Sequence, residues 1–176
     1  MTARARRLLL WVPLGVFVGL LVLASMGLFR PSDRAVPSRL VGKPMPAIDL
    51  PAIVPTHPGL SSTQGGPRLV NIFASWCGPC EAEVAQLAVL KERGLVIDGI
   101  AVRDTPDDLA AFLARNGDPY RTIGSDPESR SMIALGSSGV PESFIVDARG
   151  VIRYQHIGAI GTQDVDAIAS AYEAAR

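Results

Sequence analysis

Two cysteines, the only two in the chain, stand three positions apart where the pattern of a strand gives way to that of a helix. Before them, the apolar run 69–74 predicts a buried strand. Pro79, between the cysteines, suits the first turn of a helix, where its missing N–H costs nothing. Apolar residues then follow at the spacing of one helix face, at Cys80, Val84, Leu87 and Ala88. Cys77 and Cys80 should therefore lie at a strand–helix junction, close enough to form a disulfide or to hold two thiols.

Cys77 is predicted to lie at the N-terminus of this helix. Unpaired backbone N–H groups and the positive end of the helix dipole stabilise a negative charge there. We therefore expect the pKa of the Cys77 thiol to fall below its ordinary value of about 8.5. Cys77 is the predicted nucleophile, attacking a disulfide through a mixed-disulfide intermediate. Cys80, one turn deeper on the inward face, is the predicted resolving thiol.

Two other uses of such a cysteine pair stay open at this point, a structural disulfide and half of a zinc site. Zinc would need two more ligands, and the only histidines are His57 and His156. A structural disulfide closing so short a loop would add little stability, because the entropic gain grows with loop length. The position between strand and helix favours redox chemistry.

The first 30 residues differ in character from the rest of the chain. Residues 8–29 are 22 positions without a charge, enough at 1.5 Å per residue to cross the roughly 30 Å core of a bilayer. Arg4, Arg6 and Arg7 precede this segment, and the positive-inside rule keeps such an end in the cytoplasm. The sequence predicts a single-pass signal-anchor in a bacterial inner membrane, with the rest of the chain in the periplasm.

A cleavable signal peptide is the alternative, with Val22-Leu23-Ala24 as the cleavage region. The apolar core of a signal peptide has about 7–15 residues, however, and this segment is longer. The length therefore favours an uncleaved anchor.

The formal net charge of the chain is zero, but the charges are unevenly divided. Four of the 17 basic residues are arginines within residues 1–30, which hold none of the 17 acids. Residues 31–176 therefore carry 13 basic and 17 acidic side chains, a net charge of −4. Phosphate binding needs a basic face, and this body is mildly acidic, so we expect no nucleic-acid partner.

The predicted organisation is an anchor over residues 1–30, a tether over 31–43 and one compact domain over 44–176. Strands are predicted at residues 47–50, 69–74, 95–102, 120–123, 143–146 and 151–157, the last two as a hairpin, with an irregular stretch at 51–67. Helices are predicted after the cysteines to about residue 93, from Thr105 to Gly117, from Asp126 to Gly136, and around Val165 and Tyr172. This order predicts an α/β fold with a central mixed β-sheet and helices on both faces.

A resemblance to known proteins rests on the anchor, on the run Ala74-Ser75-Trp76-Cys77-Gly78-Pro79-Cys80 and on several other segments. They are Val41-Gly42-Lys43-Pro44, Leu69-Val70-Asn71, Glu81-Ala82-Glu83, Gly139-Val140-Pro141-Glu142-Ser143-Phe144 and Gly150-Val151-Ile152-Arg153-Tyr154. From about residue 40 onward the chain resembles the thioredoxin fold. More narrowly, it resembles the membrane-tethered thiol:disulfide interchange proteins of cytochrome c biogenesis, the CcmG/DsbE group.

The resemblance implies a cis peptide bond between Val140 and Pro141, facing the cysteines. Such a loop would leave backbone groups free to pair with a substrate strand. Trp76, Gly78 and Pro79 belong to the implied active-site loop, with Trp76 as an apolar cover over the disulfide.

Glu83 and Glu142 match acids that line the active site in this group. A carboxylate near a cysteine pair can raise a thiol pKa or relay a proton as the mixed disulfide resolves, so both are predicted catalytic residues. For Glu83, an interaction with the helix dipole is the alternative role. Asp104, just beyond a strand, is as well explained as a loop acid. Asn71 stands where many thioredoxins have a buried acid, and members of this group commonly have Asn there. Because Asn is not a base, proton transfer is left to Glu83 or Glu142.

The implied function is reductive exchange in the periplasm. The Cys77/Cys80 dithiol would reduce the disulfide of the haem-binding cysteines of apocytochrome c, or of a helper protein, and a membrane electron donor of the DsbD/CcdA type would reduce the enzyme again. No cofactor is expected beyond the redox-active disulfide Cys77–Cys80, and no metal. A more general periplasmic reductant of the TlpA kind and a copper-carrying module are the alternatives, although no Met or His is adjacent to the pair.

Overall fold

The structure, a computed structural model, describes residues 3–28 and 39–176, and the chain divides into two units, residues 1–34 and 35–176. In the first unit, helix α1 spans Ala3–Leu28 and contains most of the predicted anchor. Among the described residues, no helix is both long and apolar enough to cross a membrane. Residues 29–38, which end the predicted anchor and begin the predicted tether, lie outside the described residues.

The second unit is built on a five-stranded sheet. Its strands are β3 (Arg68–Phe73), β4 (Ile97–Val102), β5 (Thr122–Asp126), β6 (Glu142–Val146) and β7 (Ile152–Ile157), after a two-stranded ribbon of β1 (Asp49–Leu50) and β2 (Leu60–Ser61). The order across the large sheet is β5-β4-β3-β6-β7. Strands β3, β4 and β5 run parallel, whereas β6 is antiparallel to β3 and to β7. The predicted mixed sheet and its closing hairpin are confirmed.

One face of the sheet is covered by three helices, α2 (Gly78–Glu92), α3 (Pro106–Asn116) and α5 (Val165–Ala174). Fully buried apolar side chains from the sheet and the helices form this core, among them Leu69, Phe73, Leu87, Phe112 and Ile168. Helix α3 begins as predicted, because the Thr105 hydroxyl accepts the Asp108 N–H at 3.2 Å and Pro106 occupies the first turn.

The other face is covered by the β1–β2 ribbon and by the short helix α4 (Arg130–Ala134). In the described part of the second unit, helices therefore lie on both faces of the sheet, as predicted, with three on one face and one on the other. The ribbon approaches β5 so closely that a Cβ at Gly124 would lie 2.6 Å from the Cβ of Leu50. Strand β2 falls within the stretch 51–67 that the sequence predicts to be irregular, and two residues are too few to show a strand period.

Several further boundaries differ from the prediction. Strand β1 begins at Asp49 and not at residue 47, and α4 begins at Arg130 and not at Asp126, because Asp126 still belongs to β5. Strand β5 begins at Thr122 and not at Tyr120, because the Tyr120 N–H donates to the Asp118 carboxylate at 3.1 Å and pairing with β4 starts at Thr122. Near the end of the predicted tether, the Gly42 N–H donates to the Ile152 carbonyl at 2.7 Å, so this part of the tether is bound to the sheet.

Candidate active site

The two cysteines lie where β3 leads into α2, and they form a disulfide with their Cα atoms 5.2 Å apart. Cys77 is the N-cap of α2, and its sulfur accepts the Cys80 N–H at 3.2 Å. Cys77 is 5% exposed and Cys80 is 1% exposed, while Gly78 and Pro79 between them are exposed. The junction predicted from the sequence is confirmed, and the thiol predicted to attack is the more accessible of the two.

The turn before Cys77 is fixed by Asp104, which follows β4. Both oxygens of the Asp104 carboxylate bind Ser75, accepting its N–H and its hydroxyl at 2.6 Å each. This pair of bonds joins the active-site turn to the neighbouring parallel strand. Asp104 is therefore placed as a positioning residue for the turn that carries Trp76 and Cys77.

Trp76 is 59% exposed, and its indole N–H donates to the Arg103 carbonyl at 3.2 Å. The ring is thus attached to the loop after β4 and presents most of its surface to solvent. Its predicted role as a cover over the disulfide stays a prediction.

Behind the cysteines, Glu83 lies on the buried face of α2, one turn after Cys80. The carboxylate is 1% exposed and has two donors, the Asn71 carboxamide at 3.0 Å and the Ile160 N–H at 2.9 Å. Burial raises the pKa of Glu83 to about 7, although the bonds from Ile160 and Asn71 act in the opposite direction. A carboxyl with this pKa can both accept and release a proton near neutral pH.

Asn71 joins Glu83 to two other polar side chains in the core. The Asn71 amide nitrogen donates to Glu83 and also to the Ser143 hydroxyl oxygen at 3.0 Å, and its carbonyl oxygen accepts the Tyr120 hydroxyl at 2.8 Å. Burial, followed by the charges of Glu83 and Asp118, raises the pKa of Tyr120 well above its ordinary value, so the phenol stays a neutral donor. The sequence pattern singles out Asn71, but it carries no local signal for the partners of Asn71, Tyr120 and Ser143, or for the Ile160 N–H that binds Glu83.

The loop between α4 and β6 contains the predicted cis bond, Val140–Pro141, which is present. Pro141 is buried, Val140 is half-buried, and the Pro141 carbonyl accepts the Gly158 N–H at 3.0 Å. Glu142, fully buried, holds the preceding turn. It accepts the Ser137 hydroxyl at 2.8 Å and the Ser138 N–H at 2.9 Å, and it is also bound by the Gln155 amide.

The two predicted acids lie on opposite faces of the sheet. In the antiparallel register of β3 and β6, Asn71 pairs with Ser143 and Ile72 pairs with Glu142. Paired residues point to the same face, and neighbours along a strand point to opposite faces. Glu83 therefore shares the helix-covered face with Asn71, whereas Glu142 lies on the face of the ribbon and α4. The two positions suit different roles: Glu83 is placed for proton transfer, and Glu142 is placed to fix the loop before β6.

The arrangement as a whole suits dithiol–disulfide exchange. It combines a cysteine pair at a helix N-terminus, a buried carboxyl whose pKa is raised to about 7, and a cis-proline loop at Val140–Pro141. Within the described residues, no group of three or more His, Cys, Asp or Glu side chains is placed to hold a metal ion.

Similarity to known proteins agrees with this geometry. Residues 40–172 match the Redoxin family. The chain is 39% identical over 166 residues to the thiol:disulfide interchange protein DsbE of Allochromatium vinosum, covering 93% of this chain and 90% of that protein. It is 36% identical over 159 residues to HelX of Rhodobacter capsulatus, a protein of the same description, covering 89% and 90%.

A crystal structure has the same fold. A thiol:disulfide interchange protein of the thioredoxin family from Chlorobium tepidum superposes with a TM-score of 0.59 at 26% identity, over 77% of this chain and 98% of that one. The predicted thioredoxin-like fold is thereby confirmed. The chain belongs to the Redoxin family and, within it, to the DsbE group of thiol:disulfide interchange proteins that its sequence resembles.

Proposed function

We propose that this protein reduces a disulfide in the haem-binding segment of apocytochrome c, or in a helper protein of cytochrome c maturation, on the periplasmic side of a bacterial inner membrane. The observation that carries the exchange chemistry is the pairing of Cys77 at the N-cap of α2 with the buried Cys80 and Glu83 behind it. The substrate and the compartment rest on the resemblance to the CcmG/DsbE group.

The reaction proceeds in two exchanges. The Cys77 thiolate attacks one sulfur of the substrate disulfide, forming a mixed disulfide and releasing the other substrate sulfur as a thiolate. Cys80, as a thiolate, then attacks the sulfur of Cys77, which forms the enzyme disulfide and releases the second substrate sulfur. Two electrons pass from the enzyme dithiol to the substrate, and the proton of Cys80 must pass to a base.

Glu83 is the base that we assign to this step. Residues three positions apart on a helix are neighbours on its surface, so Glu83 and Cys80 share one buried face. With a pKa of about 7, a substantial fraction of Glu83 is ionised at neutral pH and able to accept the proton. Asn71 cannot take this role, because a carboxamide is not a base.

The recharging reaction requires an external dithiol, which we assign to a membrane electron donor of the DsbD/CcdA type. We also propose that residues 8–29 anchor the protein, with its N-terminus in the cytoplasm. The uncharged run after Arg4, Arg6 and Arg7 supports this orientation. The exposed apolar side chains along α1, which include Trp11, Phe17 and Leu23, support the anchoring itself.

Reduction of a short apocytochrome peptide tests the proposal. The reduced full-length protein in detergent is mixed with a disulfide-closed Cys-x-x-Cys-His peptide, and both thiol pairs are followed by alkylation and mass spectrometry. We expect one peptide disulfide reduced per Cys77–Cys80 disulfide formed. A peptide that stays oxidised, with the enzyme still reduced, would contradict the proposal. Membrane fractions extracted with carbonate test the anchor separately, since an anchored chain stays in the pellet.

A further inference from the structure

Two cavities share Trp76 and Arg103 in their walls, directly beside the active-site turn. The smaller, of about 120 Å³, is mainly apolar and is completed by residues that include Val102, Ser129, Met132 and Val140. The larger, of about 300 Å³, has mixed polar and apolar walls, and its other lining residues include Ser75, Asp104, Asp108 and Arg115. A polypeptide that reaches Cys77 next to Trp76 would have these cavities along its path.

The backbone of Arg103 is held in place between the two cavities. Its carbonyl accepts the Trp76 indole N–H, and its own N–H donates to the Asp126 carbonyl, each at 3.2 Å. Its φ is +50°, in the left-handed region that costs a non-glycine residue about 1 kcal/mol or more. Within the described residues, the only other non-glycine residue with positive φ is Ser129, in the wall of the smaller cavity. Strained backbone is thus concentrated on this side of the site.

The charged side chains around the larger cavity differ in whether they already have hydrogen-bond partners. The Asp104 carboxylate accepts three hydrogen bonds, two from Ser75 and one from the Thr105 N–H, and the Asp108 carboxylate accepts the Thr105 hydroxyl at 2.7 Å. The guanidinium groups of Arg103 and Arg115 have neither a hydrogen bond nor an ion pair within residues 3–28 and 39–176. The two arginines and the two aspartates of this cavity balance in charge, but both aspartates already accept hydrogen bonds, so the N–H donors of the arginines are the groups left to bind an acidic ligand.

We propose that Arg103 and Arg115 form a subsite for a carboxylate side chain of the substrate polypeptide, close in sequence to its disulfide. This inference rests on the proposed function and adds a substrate preference to it. The planar guanidinium groups can bind a carboxylate through paired N–H donors, and opposite charge would also speed the encounter. Trp76 separates this subsite from the apolar cavity, so an acidic and an apolar side chain of one segment could bind on its two sides.

Three matched disulfide peptides test the preference. Each closes a Cys-Ala-Ala-Cys ring, and they differ only in carrying Glu, Gln or Lys two residues before the first cysteine; a second set carries the same change two residues after the last. The second-order rate constant of reduction by the full-length reduced protein is measured at low and high salt. We expect the Glu peptide of at least one set to react about 3- to 10-fold faster than the Gln peptide, the Lys peptide to be slowest, and salt to remove the difference.

Substitutions then assign the preference to the two arginines. Arg103→Gln and Arg115→Gln should each lower the Glu/Gln rate ratio by about 3-fold, and the double variant should bring it close to 1. Arg115 lies on a different element from Arg103, so either variant serves if the other does not fold. Arg39→Gln, an exposed arginine outside both cavities, is the control and should leave all rates unchanged.

The outcomes separate this inference from the proposed function. Reduction of all three peptides at equal rates, a faster Lys peptide, or a Glu preference that survives the double substitution would each overturn the carboxylate subsite while leaving disulfide reduction intact. Failure of the wild-type protein to reduce any of the peptides would overturn both.

Discussion

The Asn71 carboxamide donates to the Glu83 carboxylate at 3.0 Å, in the core directly behind the cysteine pair. An asparagine thus stands at the position where many thioredoxins have a buried acid, and the acid of this site comes instead from the helix that carries the cysteines. The neutral Asn71 stabilises a carboxylate at Glu83 without competing for its proton. Burial nevertheless raises the pKa of Glu83 to about 7, which places its titration in the range where exchange would operate.

The separate roles of the cysteines are tested by serine substitutions. In Cys80→Ser the nucleophile remains but the second exchange cannot occur, so mixed disulfides between Cys77 and the substrate should accumulate. In Cys77→Ser, the remaining thiol is 1% exposed, so exchange should fall by several orders of magnitude. Non-reducing gels and mass spectrometry measure both. Equal trapping by the two variants would show that the assignment of nucleophile and resolving thiol is wrong.

Glu83→Gln should remove one inflection from the pH profile of the exchange rate. In the wild type, the rate of the second exchange should rise as pH increases through about 7, because only ionised Glu83 accepts the Cys80 proton. The variant should lose this step and react about 10- to 100-fold more slowly above pH 7. Stopped-flow rates between pH 5 and 9 measure the profile. Glu81→Gln, an exposed acid of the same helix, is the matched control, and a variant profile with the wild-type inflection would contradict the role of Glu83.

The same group should affect stability with a defined sign. The pKa of Glu83 is about 7 in the folded protein against an ordinary value of 4.5, so the folded state holds the proton more tightly than the unfolded state. The contribution of Glu83 to stability is therefore fully present below pH 4.5, decreases between about 4.5 and 7, and is constant above that. The loss is on the order of 3 kcal/mol.

Urea unfolding of the oxidised protein and of Glu83→Gln across this pH range isolates the effect. The difference in unfolding free energy, wild type minus variant, should fall with rising pH and level off above pH 7. A difference that is independent of pH would show that the folded pKa of Glu83 is not raised.

Glu142 should act on substrate binding through the loop before Pro141. Removing its carboxylate in Glu142→Ala deprives the Ser138 N–H of its acceptor and leaves the Ser137 hydroxyl only the Gly139 carbonyl, so the turn loses its fixed position. We expect KM for a disulfide polypeptide to rise about 10-fold, with a smaller change in the rate with dithiothreitol. Glu142→Gln retains an acceptor and should recover part of the loss. A lost pH inflection in Glu142→Gln, with KM unchanged, would instead place Glu142 in proton transfer.

The parts of the fold that could be predicted are those with local signals. Thr105 and Pro106 mark the start of α3 because an N-cap hydroxyl and a first-turn proline act within one turn. The strand–helix junction at the cysteines is likewise contained in about twenty consecutive residues. Strand β2 gave no such signal, since its two residues are defined by pairing with β1.

The polar network around Glu83 could not be derived in the same way. Its donors come from Asn71, 12 residues away in sequence, and from the Ile160 N–H, 77 residues away, and Asn71 in turn binds Ser143, 72 residues away. Such partners are brought together by the register of β3 and β6 and by the packing of α2. The resemblance supplied Glu83 and Glu142 as candidates, but only the structure separates them onto two faces of the sheet.

The reduction potential of the Cys77/Cys80 pair tests the central claim most directly. The full-length protein is equilibrated with glutathione or dithiothreitol buffers of known ratio, and the fraction of disulfide is measured by acid quenching and alkylation. A reductant of substrate disulfides should give a value near that of thioredoxin, about −270 mV, or only modestly higher. A value near −120 mV would make the protein an oxidant and would contradict its proposed role in reducing apocytochrome c.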